Sequence, residues 1–124
     1  MKHWQRAIRE TITKIWGQSA LDPYERACRL FEEATELAQA MGMSQEMGQS
    51  IFDNTYSKPA GDLPNEIGGT FICLLAATDA VGHDAYKCMH AEYERIRQPE
   101  LMDKLRNKHA EKVRQGRAFG SPGN

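Results

Sequence analysis

The 124-residue chain carries 16 Lys and Arg against 17 Asp and Glu, and 40% of its residues are hydrophobic. That length allows one core of ordinary domain size, and no apolar run reaches the ~20 residues that a membrane span requires. The net charge of −1 is unevenly spread: residues 17–99 hold six Lys/Arg against thirteen acids, residues 1–16 four against one, and residues 100–124 six against three. An acidic middle argues against nucleic acid as the main partner and suits a cation site. The basic C-terminal stretch reads as a solvated helix face and a frayed end, with contact to phosphates as the alternative.

Strand signals are nearly absent, and helix signals follow one another along the chain. Residues 3–16 place Trp4, Ala7, Ile8, Ile12, Ile15 and Trp16 at helical spacing. After the break at "GQSALDP", Asp22 and Pro23 predict a helix start that runs to about Met41, with Gly42 as its stop. Ser44 opens a shorter helix ending near Tyr56. Asp62 and Pro64 open the next. From Ile67 to Val81 that helix is apolar almost all round, which predicts a buried central helix. Gly82 stops it, Asp84 caps another running to about Arg97, and Pro99 starts a last basic helix. "GRAFGSPGN" reads as a disordered tail. The expectation is a single all-α domain over residues 1–115, with four main helices and residues 116–124 as the tail. Cys28, Cys73 and Cys88 lack C-x-x-C spacing and read as buried thiols. With "MKHWQRAIRE" offering no apolar signal core, a cytoplasmic protein is expected.

The stretch "FEEATELAQA" places Glu32, Glu33 and Glu36 in an arc of about 100°, opposite a stripe of Ala27, Leu30, Phe31, Ala34, Leu37, Ala38 and Met41. Acids opposite an apolar stripe are what any surface helix shows. Glu66 adds a second signal, because it opens the most apolar helix of the chain, where a carboxylate needs a partner. If Glu66 packs beside the arc, four carboxylates converge. A hard divalent cation such as Mg²⁺, which takes oxygen ligands and keeps waters for substrate phosphates, suits such a cluster. Asp62, one turn before Glu66, is either a fourth ligand or the helix N-cap. Asp79 lies ~20 Å along the helix from Glu66 and is out of reach.

These stretches resemble the MazG-like all-α nucleoside triphosphate pyrophosphohydrolases, and the small phage and bacterial members most of all. "ERACRLFEEATELAQA", "YSKPAG" and "EIGG" occur in the order that those members show, over roughly residues 22 to 112. The resemblance implies a four-helix-bundle-like MazG-type domain, assembled as a homodimer or homotetramer. It implies Mg²⁺ as cofactor, held by Glu33, Glu36 and Glu66 with Asp62 as a further candidate, and it gives Glu32 the attacking water. Lys58 in "YSKPAG" and Arg95 are candidates for substrate phosphates. The substrate class is a nucleoside triphosphate, cleaved to a monophosphate and pyrophosphate; no membrane or nucleic-acid partner is implied. One position departs: the acid that the superfamily carries three residues after Glu66 is Gly69 here. The alternative is therefore a catalytically weakened relative that binds a nucleotide or a protein partner.

Overall fold

Four side chains set the helix starts in the same way. Asp22, Ser44, Asp62 and Asp84 each accept a hydrogen bond from the backbone N–H three residues on, at Glu25 (3.1 Å), Met47 (3.1 Å), Asn65 (3.4 Å) and Lys87 (2.9 Å). Each bond satisfies a donor that the first turn leaves without an intrahelical partner. At the other ends, Gly42 (φ 96°) and Gly82 (φ 73°) take the left-handed conformation that closes a helix. The resulting computed structural model describes residues 1–118. It contains α1 (Lys2–Trp16), α2 (Pro23–Ala40), α3 (Gln45–Tyr56), α4 (Leu63–Ala80), α5 (Ala85–Ile96) and α6 (Pro99–Arg114), with a 3-10 turn at Gln18–Leu21. The protein is all-α, with no strand among the described residues. None of its described helices is long and apolar enough to cross a membrane.

The chain divides into two compact units. The terminal unit takes residues 1–32 and the described residues from 90 onward; the middle unit takes residues 33–89. The terminal unit holds every buried residue described: Thr11, Ile15, Ala20, Glu25, Met102, Ala110 and Ala118. Its helices are stitched end to side. Arg106 donates from Nε to the Ile15 carbonyl and from Nη2 to the Lys14 carbonyl, both at 3.1 Å. These are carbonyls of the last turn of α1, where a cation is favoured. Trp16 donates from Nε1 to the Leu105 carbonyl at 3.4 Å. Trp4 packs edge-on against Tyr93 (5.3 Å between centroids) and His90 (5.9 Å), and the Arg97 guanidinium lies 4.9 Å from the centre of the Tyr93 ring. The tryptophans thus make internal contacts, and His90, though exposed, lends its ring to one of them.

Two expectations about burial, for α4 and for the cysteines, are corrected. The central helix α4 is exposed rather than buried: Leu63 is 71% exposed, Ile67 63% and Ile72 68%. The apolar stripe of α2 is open too, with Leu30 at 57% and Phe31 at 59%. Hydrophobicity states that a face needs cover, and no described helix of this chain supplies it. Cys73 and Cys88 are exposed and Cys28 is half-buried, because the apolar stretches around them are themselves uncovered. Of the stretch read as a tail, Ala118 is buried and the Arg117 carbonyl accepts from Arg29 Nη2 at 2.6 Å. Residues 119–124 lie outside the described residues.

Candidate functional site

The sequence-nominated residues fall in both units. Glu32 and Arg95 belong to the terminal unit; Glu33, Glu36, Lys58, Asp62 and Glu66 belong to the middle unit.

Glu32 sits in a charged cluster built from three segments. One turn earlier on α2, Arg29 pairs with Glu32 through Nη1 and with Glu25 through Nε at 3.2 Å. From α6, Lys112 donates from Nζ to Glu32 Oε1 at 2.6 Å. Glu25 is 1% exposed, which makes it the most deeply buried charged group described. A carboxylate so placed needs a cation, and Arg29 supplies it. The Lys112 hydrogen bond, with the positive charges of Lys112, Arg29 and Arg117, holds the Glu32 carboxyl below its ordinary value despite partial burial. Glu32 is thus ionised and doubly held. Sequence reasoning missed Lys112 and Arg29 as its partners. The Arg29 spacing was visible in "RLFE", but Lys112 lies eighty positions away.

Arg95 is bidentate to Glu92 on its own helix, at 2.6 and 2.7 Å. That bond pulls the Glu92 carboxyl down. Reaching a phosphate would require Arg95 to leave this partner. Lys58 is exposed in the loop after α3.

Glu33 and Glu36 are exposed on the last turns of α2. Asp62 is the N-cap of α4. Glu66 folds back over the loop before α4: a Cβ on Gly61 would overlap its carboxylate. A Cβ on Gly69 would meet nothing within 4 Å, and the same holds for Gly68. Among the described residues, no other helix crosses at these glycines. Among the described residues, no three His, Cys, Asp or Glu side chains converge closely enough to hold a metal ion. Glu33, Glu36, Asp62 and Glu66 are therefore not gathered into such a group among the described residues. A cleft of about 370 Å³ in the terminal unit is lined by Glu10, Lys14, Tyr93, Arg97, Gln98 and Met102, among others, and none of the nominated residues lines it. No known protein family, no curated protein and no solved structure matches the chain.

Proposed function

We propose that the protein is a nucleoside triphosphate pyrophosphohydrolase of MazG-like type, acting as a homodimer or homotetramer with Mg²⁺. The reading is supported by the ordered stretches "FEEATELAQA", "YSKPAG" and "EIGG". The observation that carries it is that Glu33, Glu36, Asp62 and Glu66 all lie exposed within one compact unit. The reaction breaks the bond between the α-phosphorus and its bridging oxygen. Water adds to the α-phosphorus, pyrophosphate leaves, and a monophosphate remains. The reading requires the four carboxylates to converge on Mg²⁺ in the assembled protein, which they do not do in the single chain. Glu32 takes the water-holding role only if it exchanges Lys112 or Arg29 for that water. A general base must stand within hydrogen-bond reach of the proton that it removes.

A second reading, a nucleotide- or partner-binding protein with weakened catalysis, is favoured by Gly69 standing where the superfamily carries an acid and by the two cations held on Glu32. Melting curves with and without Mg²⁺ test the shared premise. An ion that binds only the folded state raises the melting temperature, and Glu36→Gln is expected to remove most of that rise. An unchanged melting temperature in the wild type removes both readings. A rise without pyrophosphate release from any of the common nucleoside triphosphates leaves the second.

A further inference from the structure

We propose that the cleft of the terminal unit is a binding site for a free α-amino acid with an apolar side chain. The inference goes beyond the reading above. It uses none of the residues named there and involves neither a nucleotide nor Mg²⁺.

Thr11 is the residue that points to a ligand. A threonine inside a helix often turns its hydroxyl back to the carbonyl four residues earlier. Thr13, Thr55, Thr70 and Thr78 do so, at 2.7–2.9 Å. Thr11 is 7% exposed and lines the cleft, yet among the described residues its hydroxyl has no hydrogen-bond partner. Nor is its oxygen sealed in the interior, as the partnerless Nε2 of His109 is. It opens on the cleft. A buried hydroxyl without a partner is costly, and a ligand oxygen seated in the cleft removes that cost.

The charges around Thr11 describe the ligand. α1 brings Glu10 and Lys14 to the cleft; Glu94 and Arg97 come from the end of α5 and the turn after it. Arg97 is already engaged, paired with Glu94 at 3.2 Å and 4.9 Å from the centre of the Tyr93 ring. Glu10 and Lys14 stand one turn apart, in the order that favours pairing on a helix, but neither is in an ion pair with a described residue. On α1 the cleft therefore presents one carboxylate, one ammonium and one hydroxyl without partners, within an arc of about 100°. An α-amino acid carries the complement of this set on a single carbon. Its ammonium donates to Glu10, and its carboxylate accepts from Lys14 and Thr11 in charge-assisted hydrogen bonds. The Tyr93 ring and the thioether of Met102, which is 6% exposed, line the same cleft and suit an apolar side chain.

Size and charge exclude the other occupants. The cleft's volume of about 370 Å³ lies at the small end of the roughly 300–1,000 Å³ of small-molecule sites. The two acids Glu10 and Glu94 balance the two cations Lys14 and Arg97. A nucleoside triphosphate or an inorganic anion would meet both carboxylates with no positive group to answer them.

The test uses the full chain, without nucleotide or Mg²⁺, titrated by calorimetry with L-leucine, L-methionine and L-phenylalanine. At least one of the three is expected to bind, one per chain, in the millimolar range or tighter. Analogues that keep the side chain with only the carboxylate or only the ammonium are expected to bind about tenfold more weakly or worse, the effect of losing a charge-assisted hydrogen bond. Thr11→Val keeps the shape and removes the hydroxyl. Its affinity is expected to fall about tenfold, while its melting temperature holds or rises because no bond within the protein is lost. Glu10→Gln and Lys14→Met change exposed side chains and are expected to weaken binding with melting temperatures unchanged. Absence of binding by all three amino acids, equal binding of the carboxylate-only analogue, or wild-type affinity in Thr11→Val overturns the proposal. So does binding of inorganic phosphate in place of the amino acids. A lower melting temperature in Thr11→Val overturns it too, since the hydroxyl would then have a partner inside the fold. None of these readouts measures pyrophosphate release or a response to Mg²⁺, so a failure of the pyrophosphohydrolase reading leaves them unchanged.

Discussion

The terminal and middle units are equally helical, yet their side chains are satisfied in different ways. In the terminal unit, Arg106 holds the end of α1, Arg29 holds buried Glu25, and Lys112 reaches Glu32 from eighty residues away. In the middle unit Ser44 and Asp62 cap their own helices, and Gln49 bonds Asp53 one turn on. None of its described residues is buried. The difference separates two jobs that a helix-forming sequence performs. Caps and glycine stops decide where a helix begins and ends, while long-range contacts decide which side of it is inside.

The comparison is broken most directly at Arg29. Arg29→Met removes the cation from a carboxylate that is 1% exposed. Stripping one partner from a buried pair typically costs about 3–5 kcal/mol. Trp4 and Trp16 both lie in the terminal unit, so urea unfolding followed by tryptophan fluorescence reads the loss there. A midpoint within error of wild type would mean that the terminal unit is no better fixed than the middle one.

A smaller effect is expected at Lys112. Lys112→Met removes a charged hydrogen bond from half-buried Glu32 and is expected to cost about 1–2 kcal/mol at neutral pH. The folded-state value of Glu32 is depressed, so its contribution is fully present above the ordinary carboxylate value of 4.5. It is lost as pH falls through the depressed value. Wild type and variant should therefore converge in acid, as urea midpoints across a pH series would show. A gap that stays constant with pH would assign the stabilisation to packing of the lysine stem.

The smallest effect sharpens the middle-unit side. Gly69→Ala adds a methyl group that meets no described side chain and no other described helix, and about 0.5–1 kcal/mol of helix stability should be gained. Thermal melts by far-ultraviolet circular dichroism would record it. A loss of stability would mean that a neighbouring helix does approach Gly69.

Most helix limits were legible because their causes are local. Asp22, Ser44, Asp62 and Asp84 cap the residues that follow them, Gly42 and Gly82 close helices, and Pro99 opens one. Burial was not legible. The α2 stripe and α4 carry the pattern of covered faces, and pattern alone does not say whether the cover comes from the same chain. The acids illustrate the same limit. "FEEATELAQA" showed three carboxylates on one arc, but nothing near it in sequence pointed to Lys112 as the partner of Glu32. Asp62 was open to two roles, and its cap on Asn65 is a local one.

The terminal unit is discontinuous, taking its helices from both ends of the chain. During synthesis, the carbonyls of Lys14 and Ile15 leave the ribosome long before Arg106 exists to bind them. At about 5–20 residues per second, the intervening middle segment alone occupies roughly 3–11 s. Throughout that interval α1 has no α6 to close upon, and the apolar α4 emerges ahead of the residues that complete the only core described. The nascent chain thus passes through a stage at which its stickiest helix is present and its stabilising stitches are not.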